Sequence, residues 1–126
     1  MTRINVGIHP TELPDKLLIA EHREITRIPN NLRNGKAVLK DIPEKFTLGK
    51  GHVKFFYNKV KYLSNRYALL YNECIFRGFN ITDKSTSFMD FPQELFNDYI
   101  ETEQDRLLLI ERIQSKGFKL NEKYSI

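Results

Sequence analysis

Residues 52–78 read HVKFFYNKVKYLSNRYALLYNECIFRG, and the apolar positions within them set the fold class. From Phe56 onward, Val60, Leu63, Tyr67, Leu70 and Cys74 recur at alternating steps of four and three, which keeps one face of an α-helix apolar. Together with Phe55, the spacing predicts one long helix that starts after the GKGH turn and stops at Gly78, a residue suited to the position past a helix C-terminus. On that reading Phe55, Phe56, Tyr57, Tyr62, Tyr67 and Tyr71 pack the core and helix faces and do not stack on bases. Cys74, on the same buried side, is expected to be a packed thiol.

Two further helices are expected on either side. One runs from about Leu13 to Leu32, with Leu17, Leu18, Ile25, Ile28 and Leu32 near one stripe, Thr11 or Asp15 as caps, and Pro29 kinking or ending it. The other runs from Thr102 to Lys116, carries Leu107, Leu108, Leu109, Ile110 and Ile113, and stops at Gly117. The basic stretch 33–51 and the turn-rich NITDKSTSFMDFPQ, residues 80–93, hold no alternation long enough for a strand. The expected class is mainly α: a compact single domain over residues 1–126, with about three main helices joined by long loops.

Length and composition agree with one core, because 126 residues at 40% hydrophobic content suit one domain better than two. No signal-peptide pattern and no apolar run of membrane-spanning length is present, so a soluble, intracellular, cytoplasmic chain with no membrane partner is expected. One cysteine and three scattered histidines offer neither a disulfide nor a metal-ligand spacing, so neither metal nor cofactor is expected. The net charge of +4 is unevenly spread. Arg33, Lys36, Lys40, Lys45, Lys50, Lys54, Lys59 and Lys61 face only Asp41 and Glu44 in their region, whereas Asp90, Glu94, Asp98, Glu101, Glu103 and Asp105 fall in a stretch without Lys or Arg. A polarised basic molecule suits a polyanion held through its phosphates.

The chemistry is concentrated near the N-terminus. On a continuous helix Arg23 and Arg27 share a face, and Glu24 reaches the edge of the same surface. An ordinary reading is an exposed face with a Glu24–Arg27 salt bridge. The opening MTRIN supplies another, since Thr2 is small enough for removal of Met1 to be expected, leaving an α-amino group with a reference pKa of about 7.7 to 8.0. Arg3 beside it favours the neutral amine. An amine nucleophile and one carboxylate can displace a nucleobase through an imine to the sugar, with arginines holding the flanking phosphates.

The chain resembles the phage-type pyrimidine dimer DNA glycosylases, the dimer-excising endonuclease V family. MTRIN, AEHRE with Arg27 following, FTLGKGHVKFFYNK, ECIFRGFNI, PQEL and DYI carry the resemblance, in the family's order and nearly its spacing. It implies a catalytic set of Thr2, acting through its main-chain amine, Glu24 as the carboxylate, and Arg3, Arg23 and Arg27 at the lesion, with Arg112 and Lys116 contacting DNA. It also implies a single α domain that kinks damaged double-stranded DNA, flips out a base opposite the lesion, cleaves the glycosidic bond and breaks the strand by β-elimination, acting as a monomer in a phage, viral or bacterial setting.

Some positions depart from the family. Its best-known members end in a Trp- and Tyr-rich tail, whereas this chain has no Trp and closes GFKLNEKYSI, leaving Phe118 and Tyr124. Thr26 stands where the family often has Pro, and His22 where an aromatic is usual, so the first helix is expected to bend differently. His52 is open to two readings, a phosphate contact together with the Gly49 and Gly51 amides, or a structural loop histidine. Two alternatives to the lyase reading remain, a noncatalytic DNA-binding module of the same fold and a glycosylase for a different damaged or modified base.

Overall fold

The computed structural model describes residues 2–121; the expected loss of Met1 and the tail aromatic Tyr124 lie outside them. The described residues form α1 (Asp15–Glu24), α2 (Arg27–Arg33), α3 (His52–Phe55), α4 (Val60–Phe76) and α5 (Glu103–Ser115). Short 3-10 turns lie at Pro10–Glu12, Phe56–Asn58, Ser85–Phe88 and Gln93–Leu95, and no strand occurs among the described residues. The class is mainly α, as the periodicity predicts, but two expected helices are each divided.

The helix expected over Leu13–Leu32 breaks at Ile25 and Thr26. Pro29 has no N–H for the Ile25 carbonyl, and its ring crowds that carbonyl. Ile28 N–H bonds Ile25 O in its place, and the Thr26 hydroxyl donates to Arg23 O at 3.0 Å. Neither Thr11 nor Asp15 caps α1: Pro14 precedes it and Asp15 is its first residue. The helix expected from after GKGH to Gly78 breaks at Lys59, whose φ of −129° and ψ of 44° leave helical space. Lys59 N–H bonds Phe56 O, and its ammonium takes the Phe55 carbonyl that a continuous helix would have used, at 2.9 Å.

The core gathers Leu18 and Ile25, Ile28 of α2, Phe55 and Phe56, the α4 stripe from Val60 to Cys74, and Leu109 and Ile113 of α5. On α5 the buried apolar positions are Leu109 and Ile113, while Leu107 is exposed. α1 packs directly on α4. Burial raises the Cys74 thiol above its ordinary pKa, in keeping with a packed role.

An irregular arm, residues 2–9, threads between these helices with Ile4, Val6 and Ile8 fully buried. Gly7 crosses α5 so closely that a Cβ on it would lie 2.9 Å from the Arg106 Cα, at a φ of +83°. α5 opens with a Thr102–Asp105 capping box and closes with Gly117 N–H on Gln114 O and Phe118 N–H on Ile113 O. Past that closing turn, the Phe118 ring lies 5.9 Å from the Lys16 ammonium of α1.

Candidate active site

A buried arm without strand partners must find hydrogen bonds elsewhere. Arg3 N–H donates to Glu24 Oε1 at 3.1 Å, and Ile4 N–H donates to His52 Nε2 at 2.9 Å. Asn5 Nδ2 donates to Glu21 Oε1 at 2.7 Å. Further along, Gly7 N–H bonds Glu101, while Arg106 and Arg66 donate to the Gly7 and Ile8 carbonyls. These holding groups are themselves paired, Arg66 with Glu21 and Arg106 with Glu12. Burial acts to discharge Arg66, but Glu21, with Tyr62 and Glu101, outweighs it and holds the guanidinium above its ordinary pKa.

The arm forms part of a cleft of about 300 Å³. Leu17, Ala20, Glu21 and Glu24 line it from one face of α1; Arg112, Ile113, Lys116 and Phe118 line it from the end of α5; Arg3 and Asn5 line it from the arm. Arg112 lies in the last turn of α5 and Lys116 caps it, where the helix dipole favours cations. Burial lowers the Arg3 guanidinium from its ordinary value, Arg112 adds to that, and Glu24 opposes both. A carboxylate set among three cationic side chains can bind a phosphodiester backbone and still offer one negative charge to a developing cation.

The expected residues separate into groups. Arg3, Glu24, Arg112 and Lys116 line the cleft together. Thr2 is half-buried at the next residue along the arm. Arg23 is exposed and reaches Glu24 Oε2 from outside, at 3.7 Å, so Glu24 pairs with Arg23 and not with Arg27. Arg27 lies past the break at Ile25 and Thr26, on the first turn of α2, exposed and outside the cleft lining.

His52 is not a phosphate ligand. Its ring is 2% exposed, with Nε2 on Ile4 and Nδ1 donating to Thr47 O at 2.9 Å, so both nitrogens are used internally. Asp105 is likewise no surface charge, since it is buried and accepts from the Tyr99 hydroxyl and Thr102 N–H. Sequence reasoning passed over Glu21, Asn5, Arg66 and Glu101. One signal was available: Arg66 falls between Leu63 and Leu70 in the apolar stripe, where a charge needs a buried counter-ion.

No helix among the described residues is long and apolar enough to cross a membrane. A family model described as pyrimidine dimer DNA glycosylase matches residues 1–87. The matched span contains the arm, Glu21, Glu24 and His52 but ends before α5, so Arg112 and Lys116 join the cleft by geometry alone.

Proposed function

We infer the function from one premise: the chain belongs to the pyrimidine dimer DNA glycosylase family. It is therefore a DNA-binding repair glycosylase acting on N-glycosyl bonds. Beyond that premise, the reading is a single-domain, monomeric, intracellular enzyme that works on damaged double-stranded DNA, takes a base out of the stack, and joins glycosylase to abasic-site lyase activity.

In the proposed reaction the α-amine of Thr2, exposed by loss of Met1, gives its lone pair to the sugar C1′ while the glycosidic bond breaks, and the base leaves with that bonding pair and takes up a proton. The C1′–O4′ bond then opens, the two protons the nitrogen gives up balance those taken by the base and by O4′, and an imine joins the chain to C1′. Loss of a C2′ proton breaks the C3′–O bond, the 3′ phosphate departs, and water returns the amine. Glu24 stabilises the cationic sugar and then carries protons. Arg3, Arg112 and Lys116, with Arg23 and Arg27 from outside the cleft, hold the phosphates.

The observation that supports this most is the bond from Arg3 N–H to Glu24, 3.1 Å, one peptide away from Thr2. A binding module would need the arginines but not this carboxylate. The test is borohydride trapping on abasic and ultraviolet-irradiated duplexes with untagged protein. A covalent adduct is expected, retained in Thr2→Ser and lost when Met1 is kept, with salt-sensitive binding unchanged, because proximity carries much of the rate. Equal trapping by protein that keeps Met1, mapped to an internal lysine such as Lys116, would overturn the role of Thr2.

A further inference from the structure

We propose that His52 is a positioning residue for this reaction: by accepting the Ile4 N–H, it sets where the arm delivers the residue-2 amine relative to Glu24. The proposal rests on the amine reading above. Its basis is the way two adjacent peptide groups are held. The N–H of residue 3 goes to Glu24 at the end of α1, and the N–H of residue 4 goes to His52 at the start of α3. Two side chains from two separate elements, taking N–H groups one residue apart, restrain both the advance and the rotation of the arm just after Thr2.

His52 is built to hold its own place. Nδ1–H donates to Thr47 O at 2.9 Å, which leaves the Nε2 lone pair for Ile4. The ring meets Phe46 and Phe56 edge to face, with centroids 5.5 and 5.4 Å away. Burial keeps the imidazole neutral, lowering its pKa to about 4; the Thr47 bond opposes this, and Arg3 and Arg112 add to the lowering. A protonated ring would have no lone pair for Ile4, so neutrality is a condition of the hold. A histidine that merely filled space would be replaceable by an apolar side chain at a cost in stability alone.

The experiment compares full-length wild type, His52→Leu and His52→Gln in single-turnover borohydride trapping and in binding to the same abasic duplex, with a melting curve for each. His52→Leu should trap about 10- to 100-fold more slowly at unchanged Kd, since small misplacements of reacting groups cost rate on that order. His52→Gln, whose amide oxygen can accept from Ile4, should recover most of the rate. Equal rates for wild type and His52→Leu overturn the proposal, as does a loss confined to affinity. Should His52→Leu not fold, nitrogen-15 spectra of the wild type decide: a proton on Nδ1 with a protected Ile4 amide supports the hold, and a proton on Nε2 overturns it. A wild type that forms no adduct removes the amine reading and this proposal with it, whereas a wild-type adduct with unaffected variants removes this proposal alone.

Discussion

Acidification should loosen the fold through His52, and the size of the effect follows from its burial. In the folded chain its pKa is about 4, against an ordinary value of 6.5. Above pH 6.5 neither state binds the proton. Between these values the unfolded chain takes it up and the folded chain does not, so stability falls as pH drops and levels out below the folded pKa. The slope is about 1.4 kcal/mol per pH unit, giving a loss of about 2 kcal/mol between pH 6.5 and pH 5. Urea midpoints for wild type and His52→Phe across that range isolate the term. His22, whose pKa burial also lowers, contributes equally to both proteins and cancels in the difference. His52→Phe keeps an aromatic ring beside Phe46 and Phe56, so its lower stability at neutral pH should be accompanied by a shallower pH dependence. An identical pH slope in the two proteins would refute a neutral, buried His52.

Three further outcomes test the site. Glu24→Gln should keep DNA binding and lower single-turnover base release from irradiated duplex about a hundredfold to ten-thousandfold; a wild-type rate would remove Glu24 from the chemistry. Arg112→Ala and Lys116→Ala should each reduce the log–log salt slope of binding by about one unit, and an unchanged slope would detach the end of α5 from the DNA. Glu21→Gln leaves Arg66, 4% exposed, with only the more distant Glu101 carboxylate at 3.9 Å, and should cost about 3 kcal/mol in urea denaturation; a loss under about 1 kcal/mol would show that the pair does not hold the arm.

The helical class was legible because burial on a helix is periodic. Val60, Leu63, Tyr67, Leu70 and Cys74 all lie buried where their spacing puts them, and both glycine stops, Gly78 and Gly117, end their helices with the expected carbonyl bonds. The breaks were harder to see. Pro29 announced an interruption, but its effect falls four residues earlier, at the carbonyl it cannot serve. Lys59 gave no warning, since its ammonium supplies a bond that sequence pattern assigns to the backbone. Arg23 and Arg27, four apart in sequence, fall in two helices and not in one.

By itself, the sequence determined the helical class, the core stripe and, through the motifs it shares with a known family, the expectation that Thr2 acts with Glu24. Only the tertiary structure decided how the arm is held and which basic residues meet it. Residues 2–9 have no regular hydrogen-bond ladder, so beside a few local turns their polar groups are satisfied by side chains distant in sequence: Glu24, His52, Glu101, Arg66 and Arg106. Such bonds leave no local period to read, because each partner is set by how helices pack and not by what lies three or four positions away. Arg112 and Lys116 come to Glu24 in the same way, through the docking of α5 against an arm nearly a hundred residues earlier in the chain.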